Sequence, residues 1–195
     1  MRTLSVTLVS LASAALLTLA LADPAVAQAA PAKLLPGSEI GFVSKQMGVP
    51  VSGKFTRFDA QIAFDPRKPE TGKVGFTIDI GSATIGDPET DRELPKAPWF
   101  NAAKFPQASF QSSSIKALGG GRFEVAGKLA IKGNSQDVVV PVALTQSGGN
   151  STATGAFAIK RLAFKIGEGE WTDTSMVADE VQVKFKLALT GVGPL

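Results

Sequence analysis

From Ile40 onward, apolar and polar positions alternate along most of the chain. Ile40 and Phe42 open the first run. Val49, Val51, Gly53 and Phe55 follow at period two, then Ala60, Ile62 and Phe64 ahead of Asp65-Pro66. Val74, Phe76, Ile78 and Ile80 make the cleanest run, with Lys73, Gly75, Thr77 and Asp79 between them. After the turn Gly119-Gly120-Gly121, Phe123, Val125, Gly127, Leu129 and Ile131 alternate with Arg122, Glu124, Ala126, Lys128 and Ala130. Lys132-Gly133-Asn134 turns the chain into Val138, Val140, Val142 and Leu144. Ser147-Gly148-Gly149-Asn150 precedes Gly155, Phe157 and Ile159, and the last run is Val181, Val183, Phe185, Leu187 and Leu189. Period two sends successive side chains to opposite faces, so each run is a strand with one apolar face. Short strands punctuated by Gly and Pro predict an all-β domain.

Roughly eight such strands must bury their apolar faces together. A sandwich or a closed antiparallel barrel does this. The barrel also removes exposed edges, and an eight-stranded one has room for one small ligand. The alternation stops only between Thr84 and Lys104. There Asp87 suits a helix cap and Pro88 the first helical position, while Pro95 and Pro98 end the helix within a few turns. This predicts a short helical excursion between two strands. Its exit, "WFNAAKFPQASF" (99–110), crowds Trp99, Phe100, Phe105 and Phe110 into what reads as a turn-rich connection.

The N-terminus changes the compartment. Met1-Arg2-Thr3 is a short positive end, Leu4 to Ala22 is apolar or small, and Ala25-Val26-Ala27 follows Asp23-Pro24. That layout predicts a signal peptide over residues 1–27, cleaved after Ala27, and an exported protein. Ala20-Leu21-Ala22 and Ala27-Gln28-Ala29 are competing cut sites, and an uncleaved anchor is the alternative. Residues 28–195 then form one domain, long enough to bury a core without staples.

Composition removes several chemistries. With no Cys and no His, the commonest ligands of zinc, copper and haem are missing, as are triads built on those residues. The net charge of +3 is dispersed. Lys184 and Lys186 alternate with Val183 and Phe185, the solvated face of a strand, and the expectation is no nucleic-acid partner. Asp87, Glu89, Asp91 and Glu93 invite a calcium loop, but counting from Asp87 puts Arg92 and Pro98 where such a loop needs Gly and Glu. Glu168, Glu170 and Asp173 near Trp171 could supply a carboxylate pair, yet spacing alone cannot oppose two carboxyls across a substrate. The expectation is therefore a non-enzyme without metal or cofactor. What remains is apolar volume: twelve Phe and two Trp, several sharing a strand face with Gly, which leaves space or lets another chain segment approach.

These motifs, in order, resemble the YceI family of bacterial periplasmic polyisoprenoid-binding proteins. "SEIGFVSKQMGVPVSGKFTRFDAQIAFDP" (38–66) is similar to the family opening, and "VGFTIDIGSATIGDPETDREL" (74–94) to its Ile-Asp-x-x-Ser strand and acidic loop. "WFNAAKFPQASFQSSSI" (99–115) and "GKLAIKGNSQDVVVPV" (127–142) resemble its aromatic-Pro signature and its Gly-x-Leu hairpin. Glu93 stands where the family commonly carries His, and Phe105 where it often carries Tyr. The resemblance implies a lipocalin-like eight-stranded barrel that sequesters an isoprenoid or quinone-like lipid without reacting with it. The aromatic exit would then close one end of the barrel.

The expected apolar wall is Phe42, Phe55, Phe76, Ile78, Trp99, Phe100, Phe110, Phe123, Phe157 and Phe185. Arg92 and Lys96 are expected at the mouth, where cations and rings lie close in sequence. Transient membrane contact and a homodimer are compatible with this reading. Its rival is a ligand-free envelope stress or interaction module with a solid core.

Overall fold

The computed structural model describes residues 31–195, so the expected signal peptide lies outside the described residues. Eleven strand segments form one antiparallel sheet. In chain order they are β1 (Pro31–Leu34), β2 (Glu39–Gln46), β3 (Val49–Phe55), β4 (Phe58–Ala63), β5 (Lys73–Asp79), β6 (Ala83–Thr84), β7 (Gln107–Gly119), β8 (Arg122–Ile131), β9 (Asn134–Ser147), β10 (Asn150–Lys160) and β11 (Glu180–Thr190). A helix, α1 (Pro88–Glu93), lies between β6 and β7.

The segments combine into eight staves. β11 pairs with β10 on one side and with both β1 and β2 on the other, through Lys33↔Thr190 and Phe42↔Val183. β1 and β2 are thus one broken stave. β3 with β4, and β5 with β6, are likewise broken staves, because β2 pairs β3 while β1 pairs β4, and β3 pairs β6 while β4 pairs β5. Each stave bonds its neighbours in sequence and the last bonds the first. The fold is a closed up-and-down barrel, which settles the choice between sandwich and barrel.

The runs at 49–55 and 60–64, which look like two strands in sequence, are halves of one bent stave. The bend at Thr56-Arg57 is tied to the neighbouring bend at Ile80–Ser82. Arg57 N donates to Ser82 Oγ at 3.0 Å, Ser82 Oγ donates to Asp79 O at 2.7 Å, and Arg57 Nε pairs with Asp79 Oδ2 at 2.8 Å. The stave that the pattern hides is β7. A bulge between Ser112 and Ser114 shifts its register, so Phe110 and Ile115, five residues apart, both turn inward and are buried. One extra residue breaks the period-two signal.

The meander sorts its connections to two ends. At one end lie the β2–β3 and β8–β9 turns, residues 85–106 and residues 161–179. At the other lie residues 64–72, the tight turns at Gly120-Gly121 and Gly148-Gly149, and residues 191–195. The first is a lid end, because the two long connections fold over it. Asp87 caps α1 as its sequence predicts, accepting from Thr90 N at 3.1 Å, with Pro88 in the first turn. Leu94, Phe100, Phe164 and Ile166 from the two connections are buried against the staves.

Candidate functional site

The barrel interior holds a cavity of about 140 Å³ whose lining is entirely apolar. Phe76, Ile78, Phe110, Phe123, Phe157 and Phe185 of the expected wall line it, together with Val140, Val142, Leu144, Val183 and Val192. It runs from the end away from the lid into the middle of the barrel, where Ile78, Phe110, Phe157 and Val183 lie within a few residues of the lid ends of their staves. On β8 it reaches Phe123 and Val125 but not Leu129, on β9 Val140 to Leu144 but not Val138, and on β2 Ile40 but not Phe42.

Glycine keeps this space open. Phe42 pairs across strands with Gly53, and Phe185 with Gly155. In each case a Cβ built on the glycine would overlap the ring, and one on Gly127 would overlap the ring of Phe110. The rings therefore lie along the wall, over the missing side chains, rather than across the lumen. Gly53→Ala is the cleanest test, since only the Phe42 side chain obstructs the added methyl, whereas Gly127 and Gly155 also face a backbone carbonyl. Overpacking of this kind costs about 1–3 kcal/mol. Thermal melting of the variant should fall accordingly, and Gly53→Ala/Phe42→Leu should recover most of the loss.

The other four expected wall residues do not line the cavity: Phe42 and Phe55 sit on the staves, level with Val183 and Ile40, and Trp99 and Phe100 belong to the lid. The Phe42 and Phe55 ring centroids are 5.6 Å apart and those of Phe55 and Phe100 6.2 Å, forming a relay from the wall into the lid. Trp99 packs on Trp171 at 5.3 Å, joining the two long connections. Arg92 and Lys96 also sit at this end: Arg92 is exposed in the last turn of α1, and Lys96 pairs with Glu93. Neither Arg92 nor Lys96 is among the residues that line the cavity.

Two buried cations hold the lid, and neither stands out in the sequence. Arg161, 2% exposed, donates to five backbone carbonyls: Nε to Ala178 at 3.1 Å, Nη1 to Ile166 and Gly167 at 2.8 and 3.2 Å, and Nη2 to Trp171 and Val177 at 2.6 and 2.7 Å. These use the full donor set of a guanidinium. Burial draws its pKa below the usual arginine value, and the charge of Asp179 opposes that shift. Lys132, at the β8–β9 turn, is also buried. Its Nζ donates to Ala97 O at 2.8 Å, Lys165 O at 2.7 Å and Glu168 Oε2 at 2.8 Å, with a longer contact to Pro98 O at 3.4 Å. One ammonium thus ties both lid connections to a hairpin. In sequence Lys132 is part of a turn and Arg161 follows a strand, positions where a charge is ordinarily solvated.

The lid has a pH-sensitive member. The hydrogen bond from Lys132, followed by that ammonium's charge, holds the Glu168 carboxyl below the usual glutamate range, while partial desolvation opposes. A depressed folded pKa contributes stability that is fully present above the unfolded value, about 4.3, and is lost as pH falls through the folded value. Emission from Trp99 and Trp171, the chain's two tryptophans, should therefore report lid loosening below about pH 4. Glu168→Gln should lack that acid step. The same step in both proteins would assign it to another group.

Asp173 accepts from Ser175 N and Oγ, and Glu168 is paired as described. Among the described residues no cluster of three His, Cys, Asp or Glu side chains could hold a metal ion, and no buried side-chain polar atom lacks a partner.

A family model described as a YceI-like domain matches residues 35–189. A UPF0312 protein of Azotobacter vinelandii is 34% identical over 88 residues, 45% of this chain and 46% of that protein. Protein YceI of Salmonella arizonae is 35% identical over 96 residues, 49% and 50% of the two chains. The chain thus matches about half the length of these curated relatives. Among solved structures, BcnA of Burkholderia cenocepacia is 48% identical with a TM-score of 0.75, covering 77% of this chain and 95% of that one. A Campylobacter jejuni YceI protein is 25% identical with a TM-score of 0.66, covering 71% and 83%. A polyisoprenoid binding domain from Saccharophagus degradans, implicated in plant cell wall breakdown, is 16% identical with a TM-score of 0.61, covering 84% and 98%. At that identity the likeness is one of fold.

Proposed function

Because the chain belongs to the YceI-like domain family, we propose that it is a periplasmic binding protein that shelters the apolar chain of an isoprenoid or similar amphiphile, such as a polyprenyl lipid or a quinone. The observation that carries this reading is the cavity: every residue lining it is apolar. Such a surface attracts any hydrocarbon through non-directional burial and offers no group for chemistry. The role is uptake and carriage, not conversion.

Volume bounds how the chain is held. At about 140 Å³ the cavity matches engineered voids of about 150 Å³ that take up benzene. A longer tail must displace rings along the wall or leave the barrel through one end. The same small volume favours the second reading, a solid-cored interaction module that binds no lipid. Apolar extraction of the protein purified from periplasm, followed by mass spectrometry, decides between them. The carrier yields a lipid near one per chain, and the module yields none. Intact mass of the same sample should show a chain beginning at Gln28; a membrane-held species retaining Met1 would overturn the periplasmic part of the proposal.

A further inference from the structure

The cavity needs a way in, and its two ends differ in how they are closed. We propose that the portal is at the end opposite the lid, and that the segment Gly191–Leu195 is a strap that must lift for ligand to pass. The inference rests on the binding reading above and names the route by which that site exchanges its occupant.

The strap begins where β11 ends. Gly191 has φ +83°, a left-handed conformation that turns the chain out of the last stave. Val192 then lines the cavity as its outermost plug on this segment. Among the described residues, both side-chain hydrogen bonds that fasten the strap involve one residue, Gln146 near the end of β9. Its Nε2 donates to Gly193 O at 2.7 Å and its Oε1 accepts from Leu195 N at 2.9 Å. The same Nε2 donates to Ser151 Oγ at 3.1 Å, and Ser151 is buried at the start of β10. When the strap lifts, Gln146, Ser151 and the Asp65 carboxylate beside Gly193 are polar groups at the opened end.

The lid is fastened far more heavily. Arg161 supplies five hydrogen bonds to the 161–179 connection and Lys132 ties that connection to 97–98. Backbone bonds add to these, Gly167 N and Glu168 N both donating to Pro98 O at 2.9 Å. Hydrogen bonds from a charged donor contribute more than those of a neutral amide, so both the number and the kind of bond make the strap the end that opens first. Segments with few buried contacts and few bonds lie at the low end of the local-opening scale. The strap has one clamp and one apolar plug.

A reversible staple tests the portal. The chain has no cysteine, and a Cβ on Gly193 would lie 3.4 Å from Asp65 Cγ, the place a sulfur would take. That separation is within reach of a disulfide. In the full chain carrying Asp65→Cys and Gly193→Cys, farnesol-displaceable fluorescence of N-phenyl-1-naphthylamine reports occupancy of the lumen. Oxidation should slow dye association and release at least tenfold, and a thiol reductant should restore both. Gln146→Leu, which keeps an aliphatic stem but removes the clamp, should speed release at least threefold and decides the matter if the staple does not fold. Rates that are unchanged by oxidation and by Gln146→Leu overturn the portal while leaving the binding reading intact. A wild-type protein that takes up neither dye nor extractable lipid overturns both.

Discussion

Arg161→Met is expected to lower the melting temperature by about 10 °C or more, the largest effect of any single substitution considered. The guanidinium is 2% exposed and satisfies five carbonyls drawn from both ends of one connection. A buried acceptor left without a partner costs about 1–3 kcal/mol. Water will reach some of the five once the side chain is gone, so the net loss should be about 4 kcal/mol or more. For a domain of this size each kcal/mol moves the midpoint by about 2–4 °C. Arg161→Lys keeps the charge but offers three donors on a flexible stem instead of five in a rigid fork, and should recover less than half of the loss. Midpoints within about 2 °C of wild type for Arg161→Met would mean that the lid is held by its apolar contacts alone.

Val183→Phe is expected to reduce co-purifying lipid at least tenfold while leaving the barrel folded. Val183 lines the cavity and pairs across strands with Phe42 on one side and Phe157 on the other. A phenyl group there consumes much of a 140 Å³ space. Filling existing space removes the usual reason for instability, and any residual strain should stay within the 1–3 kcal/mol typical of overpacking. The measurement is lipid per folded chain, by extraction and mass spectrometry, beside the melting temperature. Undiminished lipid in a stable Val183→Phe protein would move the binding site out of this cavity. Together the two substitutions separate holding the barrel shut from keeping it hollow.

Much of the wall was readable from the chain alone, because a barrel stave has one dry face and one wet face along its whole length. β5, β8 and β11 carry that signal without interruption, and Phe76, Ile78, Phe123 and Phe185 point to the lumen as their spacing requires. Asp87 and Pro88 announced α1 through local hydrogen bonding and a preset backbone angle. Where the chain bends or bulges, the signal fails. The extra residue in β7 reverses parity between Phe110 and Ile115, and the bend at Thr56-Arg57 makes one stave look like two strands.

The sequence by itself determined an all-β chain with inward rings and glycines, because alternation and turn chemistry act over a few residues. Only the tertiary structure decided that Lys132 and Arg161 are buried, since their partners lie as far as 36 and 17 residues away. It also decided how much of the interior stays empty. That volume depends on Phe110 and Phe185 lying over glycines of neighbouring staves, a matter of register rather than composition. The expected mouth at Arg92 and Lys96 followed closeness along the chain; the structure places both on the lid connection 85–106, neither lines the cavity, and at the opposite end that cavity reaches Val192. Proximity in sequence is a poor guide to which end of a barrel a charge occupies, because one stave carries the chain the full height of the fold.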